Sequence, residues 1–340
     1  MSLFSAPGVM DPNGITFPMR DNGNPADDLA LATEEYSSEV EHSIKRRSAL
    51  EGFVNMKRVV GTTTLTDFAV GEAELQKLTP GVTPEASPVE FGKASISVDT
   101  VVLARATLPL LDVFQTSYDA RREIAIEHGK KIAKFRDQSF FIQAAKAAQM
   151  TASRFATQAD GELKGFKGGS IETLNAASDI EDPAQLYAAL GRLFVQMEQK
   201  DVVPREDDVM IALRPKEFYA LQEADQIVHR DYVTADGTKL ENMAVFKAWG
   251  APVINSNNIP QGVIADHLLS NGRNGNAYDG DFSKLGALAF SARALLGGET
   301  IPLTSDVYYE RVEKMWFVDS HLSYAVTPNR AEFAGAIMLP

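Results

Sequence analysis

One stretch, from about Ser117 to Gln149, constrains the fold most, because it reads as a single helix with no proline and with Ser117 or Asp119 as its N-cap. At about 1.5 Å per residue, roughly 33 residues span ~50 Å, longer than the core of a compact domain of this size requires. Such a helix is a spine. Tyr118, Ala125, Ile132, Phe135 and Ile142 fall close to one stripe, which is the expected packing face. Arg121, Arg122, Lys130, Lys131, Lys134 and Arg136, set against Glu123 and Glu127, leave residues 121–136 at +4 and make another face basic. Gly129 lies mid-helix at about 1 kcal/mol against alanine, which leaves three readings: a bend, a close approach of another backbone, or simple tolerance.

The chain before the helix has the texture of a ribbon. Residues 59–106 are rich in β-branched side chains and threonine, with glycine and proline gathered in the middle. Going out, 62–70 carries Leu65, Phe68 and Val70; coming back, 95–102 starts in period two, which marks one buried face. The tip, 71–92, holds Pro80, Gly81, Pro84 and Pro88. Connections in compact domains are commonly ~4 to 6 residues, so this tip is expected to project and to find its partners elsewhere. Pro109 closes the ribbon.

After the helix, residues 151–182 turn polar and glycine-rich and read as a loop with a marginal hairpin. Asp182 and Pro183 then cap a helix whose Leu186, Tyr187, Leu190, Leu193, Phe194 and Met197 recur at helical spacing. That helix should cover a sheet of 208–213, 253–255 and 285–291, with a short helix over 215–222, making an α/β module of ~120 residues. Residues 271–276, rich in Asn and Gly, read as a surface turn. Residues 306–339 read as a strand pair or bent strand beside the spine helix, with 334–339 a buried terminal strand.

Charge and composition narrow the function. The 340 residues, 44% hydrophobic and 23% charged, suffice for roughly two packed domains. No apolar run approaches the ~18 to 20 residues that cross a bilayer, and residues 1–20 lack the charged and apolar regions of an export signal, so neither membrane insertion nor export is expected. The absence of cysteine excludes disulfides, thiolate metal sites and a cysteine nucleophile, and suits a reducing cytoplasm. A net charge of −13 opposes tight general binding to a phosphate backbone. That charge is uneven. Residues 1–40 hold Arg20 against Asp11, Asp21, Asp27, Asp28, Glu34, Glu35 and Glu39, or −6, whereas 41–60 set Lys45, Arg46, Arg47, Lys57 and Arg58 against Glu41 and Glu51, or +3. A short basic run of this kind is a solvated helix face or a docking arm.

No chemistry is visible. His42, His128, His229, His267 and His321 stand singly, without the spacing of a metal-binding pair. Phosphate loops, dinucleotide fingerprints and nucleophile elbows are missing. Asn274, Asn276, Asp279 and Asp281 do not fit a calcium loop and read as a turn. Adjacent acids such as Asp27-Asp28 and Asp207-Asp208 point apart on a regular element. We assign no catalytic residue, metal ligand or cofactor.

Taken in order, these parts resemble the major capsid proteins of short-tailed (podovirus-type) bacteriophages, which have the HK97 shell fold. The densest stretch is 61–123, where Phe68-Ala69-Val70-Gly71, Leu78-Thr79-Pro80-Gly81 and Tyr118-Asp119-Ala120-Arg121-Arg122-Glu123 are similar to that family's extended loop and the opening of its spine helix. Asp28-Leu29-Ala30-Leu31 and the basic 45–58 stretch resemble its N-terminal arm, and Arg330 with Ala334-Gly335-Ala336 resembles its closing strand. The ribbon tip between Phe68 and Pro80 is one residue short, and 151–181 matches poorly.

The resemblance implies an α+β, HK97-like fold: an N-terminal arm (1–58), an extended β-hairpin loop (59–109), a peripheral domain with the spine helix (110–181), an α/β axial domain (182–304) and return strands of the peripheral domain (305–340). It implies hexamers and pentamers of this chain forming an icosahedral head around double-stranded DNA. Scaffolding and portal proteins are the implied partners, with a decoration protein as a further candidate. The site would be the virion, after assembly in the host bacterial cytoplasm, with no cofactor, membrane or enzymatic step.

Contacts between copies are expected at Lys45, Arg46, Arg47, Arg58, Phe68, Val70, Gly71, Pro80, Gly81, Arg121 and Arg122. The basic faces would meet acidic surfaces of neighbours, so charge reversal at Arg121 and Arg122 is expected to block particles while the monomer stays folded. Ribbon and arm are expected to find shelter among other copies and not on their own body. Two competing readings are an encapsulin-like cellular compartment of the same fold and an α/β-domain enzyme; the second lacks a nucleophile, base or metal set.

Overall fold

The computed structural model describes residues 25–50, 52–73, 75–77, 89–109, 120–155, 163–222 and 246–340. In chain order the elements are α1 (Pro25–Arg47), β1 (Met56–Arg58), β2 (Thr64–Val70), β3 (Phe91–Ser97), β4 (Val102–Pro109), α2 (Ala120–Gln149), β5 (Ser170–Thr173), α3 (Pro183–Glu198), β6 (Met210–Leu213), α4 (Pro215–Gln222), β7 (Phe246–Ala248), β8 (Ala251–Asn255), β9 (Val263–Ile264), β10 (Gly280–Asp281), β11 (Leu285–Phe290), β12 (Leu295–Glu310), β13 (Met315–Pro328) and β14 (Ala334–Met338). The chain forms two compact units. One holds α1, Leu103–Ala133 and Leu303–Leu322; the other holds Ser48–Val102, Lys134–Pro302 and Ser323–Pro340.

The larger unit is built on a six-stranded sheet in the order β5-β14-β11-β6-β8-β7. β11 runs antiparallel to β14 and β6, while β6 pairs parallel with β8 and β14 parallel with β5. β6 and β11 are buried at every residue, which explains why they read as unbroken apolar runs and not as alternating ones. Helix α3 starts where the sequence places it: the Asp182 carboxylate accepts from Ala184 N at 2.9 Å, with Pro183 in the first turn. It lies against the sheet through Leu186, Leu190, Leu193, Phe194 and Met197, all buried. A Cβ on Gly335 of β14 would lie 3.0 Å from Leu193 Cδ1, so the leucine would have to give by a few tenths of an ångström to accept one.

Two elements fall elsewhere than the sequence suggested. Residues 334–338, grouped with the return strands, form an inner strand of this sheet beside β11. Residues 170–173, read as part of a marginal hairpin, pair parallel with β14, from Ser170↔Gly335 to Thr173↔Met338. A local pattern cannot name a partner strand so remote in the chain.

A four-stranded sheet has the order β1-β12-β13-β4. β1 pairs parallel with β12, Met56 opposite Gly297 and Arg58 opposite Glu299. β4, read from sequence as ribbon, is a strand beside β13 instead. The expected strand pair over 306–339 is present as β12 and β13.

The spine helix is present as α2, 30 residues long. In the smaller unit Ala125, Ile132 and Ala133 are buried on its first half, and α1 packs there through Tyr36, Val40 and Ile44. Gly129 marks the crossing. A Cβ at that position would lie 2.6 Å from Ser43 Cβ and 2.8 Å from the Val40 carbonyl oxygen, so the close approach of another backbone is the reading the structure selects. In the larger unit Phe140, Phe141, Ile142, Ala144 and Ala145 of α2 are all buried.

His267 sits in the larger unit between two rings of its own unit. Its imidazole stacks on Phe135 and Tyr278, with centroids 5.1 and 5.2 Å away. Leu269 N donates to Nδ1 at 3.3 Å, and Nε2 has no partner. Burial pushes its pKa below the ordinary histidine value, with the nearby Asp279 charge acting the other way. The folded state therefore binds a proton less readily than the unfolded chain, so stability is whole above about pH 6.5 and is lost as pH falls through the depressed folded pKa. His128 in the smaller unit is lowered by burial in the same sense, and Glu332, raised by burial, works oppositely by losing its contribution as pH rises. The urea midpoint should fall between pH 7 and pH 5, and His267→Phe, which keeps the stack, should flatten part of that slope. An unchanged slope would remove His267 from the account.

Candidate interaction surfaces

The ribbon belongs to the larger unit. β2 and β3 pair antiparallel from Thr64↔Ser97 to Val70↔Phe91. Period two divides its side chains between faces. On the inner face, Ile96 and Val98 pack with Val59, Leu296 and Ala325, while Ala69 and Ala94 pack with Phe155, Leu163 and Phe166. Asp67 accepts from Lys57 Nζ at 3.2 Å and from Asn329 Nδ2 at 2.9 Å, and Arg154 Nη2 donates to Ser95 O at 2.9 Å. The expectation that ribbon and arm lack shelter on their own body is thus corrected for the ribbon strands and for α1, while residues 1–24 of the arm and 78–88 of the tip lie outside the described residues. An alternating ribbon has one apolar face that its own unit can cover, and α1 closes on α2 at Gly129.

The outer face stays open. Phe68 is 72% exposed, Val70 55% and Phe91 62%, and Val70 stands directly opposite Phe91. Burying three such side chains stabilises a contact by about 1.5 to 3 kcal/mol each. Phe68 and Val70, expected at contacts between copies, are exposed, and Phe91 beside them was missed. Phe91 lay inside the stretch read as tip, 71–92, whereas the structure starts the returning strand with it. Gly71 ends the ribbon: its N–H donates to Glu90 O at 2.9 Å, and an added Cβ would lie 3.1 Å from Leu163 Cδ1. Pro80 and Gly81 lie outside the described residues.

The basic residues divide differently. Lys45 and Arg47 are exposed on α1, Lys45 at 3.8 Å from Glu41. Arg58 is exposed on β1, an edge strand. The side chains of Arg46 and Arg121 lie outside the described set. Arg122 is 3.2 Å from Glu39 of its own unit. Reversing its charge would set two carboxylates against each other inside that unit, so this substitution does not isolate a contact between copies.

The smaller unit also holds a polar cluster that sequence reasoning did not find. Arg105 binds Asp319 through two bonds of 2.8 and 2.6 Å and lies over the Phe317 ring. The Tyr36 hydroxyl is 2.6 Å from His128 Nδ1 and 2.8 Å from Ser320 Oγ, and burial pushes its pKa up to about 12. These bonds tie α1 into its unit. Tyr36 is held neutral, and among the described residues no group of three or more His, Cys, Asp or Glu could hold a metal ion. Asp279 accepts from His267 N and Ser270 Oγ to close the 267–279 turn. No helix among the described residues is long and apolar enough to cross a membrane.

No known family model matches the sequence, and no curated protein does. Solved structures do match. The capsid structure of Cyanophage P-SCSP1u is similar over 86% of this chain and 88% of its own, at 18% identity and a TM-score of 0.73. The mature capsid of bacteriophage PhiM1 is similar over 86% and 87%, at 22% identity and a TM-score of 0.69. A virus-like particle from Pyrococcus furiosus is similar over 91% and 99%, at 10% identity and a TM-score of 0.52. At these identities the likeness establishes the fold, which is that of the phage capsid chains.

Proposed function

We propose that this chain is a major capsid protein: the repeating, non-enzymatic subunit of the head of a tailed bacteriophage, of podovirus type and with HK97-like domains. In this reading copies assemble as hexamers and pentamers into an icosahedral shell around double-stranded DNA. Scaffolding and portal proteins act during assembly in the host cytoplasm, and a decoration protein is a further partner. The observation that carries it is the likeness to phage capsids along almost the whole of both chains, rather than over one module. The open outer face of the ribbon supports it, since a shell needs many moderate contacts whose sum is durable. A net charge of −13 suits a container whose wall must not adhere to packaged DNA.

The test is to express the chain, sediment it and image it. Closed shells are expected; a monodisperse monomer of 37.0 kDa at high concentration would end the reading. Substituting Phe68, Val70 and Phe91 together by serine should lower the unfolding free energy by no more than about 2 kcal/mol and leave the monomer folded, because all three are more than half exposed. The yield of shells should fall at least tenfold. Wild-type yields would free the ribbon face of any part in assembly.

A cellular compartment shell is the second reading, supported by the likeness to the Pyrococcus furiosus particle. The higher TM-scores of the two phage capsids favour the virus. Nuclease-protected DNA in purified particles would decide for the virus, and enclosed enzyme for the compartment.

A further inference from the structure

The smaller unit carries a ridge where α1 lies on α2, and charge is sorted along it. Ser43 Oγ donates to Ile126 O at 3.0 Å, so the last turn of α1 ends beside residues 127–131. Lys45 and Arg47 of α1 and Lys131 of α2 are exposed there, and Lys130 is half-buried. Lys130 Nζ is 2.5 Å from Glu127, and Lys45 is 3.8 Å from Glu41. Lys130, bonded to it, and then Lys131 and Arg47 hold the Glu127 carboxyl below the ordinary carboxylate value, so three cations surround one acid. Lys45, Arg47, Lys130 and Lys131 against Glu41 and Glu127 leave this end of the ridge at +2, in a chain of −13. The other acids lie toward the opposite end: Glu123 is about 6 Å back along α2, and Glu34 and Glu35 are about 15 Å back along α1. Glu39 is engaged by Arg122.

Cations in the last turn of a helix answer its macrodipole, which accounts for Lys45 and Arg47. Lys130 and Lys131 sit in the interior of α2, where no helix end calls for them. The ridge is also not made like a contact between proteins. Among the described residues of α1 and α2 no large apolar side chain is exposed, whereas the ribbon face offers Phe68, Val70 and Phe91. A protein interface has an apolar centre from which lysine is depleted. A phosphodiester backbone needs only solvated cations on a firm support. The support is firm: α1 meets α2 closely at Gly129, and the Tyr36 hydroxyl is bonded to both His128 and Ser320.

We propose that this end of the α1–α2 ridge is where the wall of the shell touches the enclosed double-stranded DNA, with Arg47, Lys130 and Lys131 on backbone phosphates. This rests on the shell reading, because only an enclosing shell holds DNA against its wall. Each copy makes about two or three phosphate contacts, independent of sequence and weakened by salt. The net charge of −13 keeps the rest of the chain from adhering. Contact this weak in one copy adds up only across the shell.

The test is lysine acetylation of DNA-filled heads and of the same heads after they have released their DNA, read residue by residue by mass spectrometry. A phosphate beside a lysine covers it and favours the charged form, which does not react. Lys131 should be modified about threefold faster or more once the DNA has left, while Lys216, exposed on α4 of the larger unit, should change less than about 1.5-fold. Equal reactivity of Lys131 in both states, or a rise that Lys216 shares, would overturn the proposal. Lys131 unreactive in both would give the ridge to a neighbouring copy and overturn it too. Arg47→Gln combined with Lys131→Gln should leave the yield of closed shells at the wild-type level, because neither side chain holds copies together. Loss of shells by this variant in folded form would mark a contact between copies and overturn it as well. Heads that enclose protein instead of DNA, or wild-type chain that forms no shells, would sink the shell reading and this proposal together. Filled heads in which Lys131 does not respond sink this proposal alone.

Discussion

Gly129→Ala destabilises the chain, although helix propensity alone predicts the reverse. Alanine in an exposed helix interior gains about 1 kcal/mol over glycine. At this position the new methyl would sit 2.6 Å from Ser43 Cβ and 2.8 Å from the Val40 carbonyl oxygen. Neither atom is the free end of a flexible side chain, so α1 must move off α2. Val40, which is fully buried, and the Tyr36 hydroxyl bonds to His128 and Ser320 are then disturbed. Overpacking of this kind costs about 1 to 3 kcal/mol, enough to reverse the propensity gain. The check is the urea midpoint at fixed protein concentration, since assembly would shift it by mass action. A midpoint that rises would show that the two helices are not held this close. Adding Ser43→Gly should recover part of the loss, because it removes the nearer of the two atoms.

Asp137→Ala is expected to be more damaging still. The Asp137 carboxylate is fully buried on α2 and accepts from Ser48 Oγ at 2.5 Å, Ala49 N at 2.9 Å and Asn258 Nδ2 at 3.1 Å. It is the post to which the chain after α1 and the loop after β8 are both tied. Removing it leaves the Ser48 hydroxyl, the Ala49 N–H and the Asn258 carboxamide without this acceptor, and water meets part of that need because Ala49 is exposed and Asn258 half-buried. A loss of about 2 to 4 kcal/mol is expected, a large fraction of a typical domain stability of about 5 to 15 kcal/mol. Asp137→Asn should cost about half as much, since Oδ2 accepts twice and an amide has only one oxygen to offer. Equal midpoints for Asp137→Ala and wild type would show that these bonds are replaced by water at no cost.

These two residues also show how far residue order can be read. Gly129 stood out as an anomaly in a helical run, yet its sequence left three explanations open. Val40 and Ser43 decided among them, and no local pattern links them to position 129. Asp137 gave no sign at all, because a carboxylate between Arg136 and Gln138 on a charged helix looks solvated. The candidate contact surface was half legible. Phe68 and Val70 were singled out through the resemblance and are exposed, whereas Phe91 fell inside the stretch read as ribbon tip. Arg330 was noticed for its likeness to a closing strand, but its place over the Phe166 ring is a contact that no local pattern announces.

What the sequence by itself determined was local. The 30-residue α2, the Asp182 cap of α3, the α4 span and the buried runs of β6 and β11 all follow from periods and neighbours a few residues apart. Tertiary structure alone decided that β14 lies between β5 and β11, that β4 leaves the ribbon for β13, and that α1 packs against α2. Those outcomes rest on which distant surfaces match in shape and hydrogen-bonding need. A strand's alternation shows that one face must be covered, and says nothing about what will cover it.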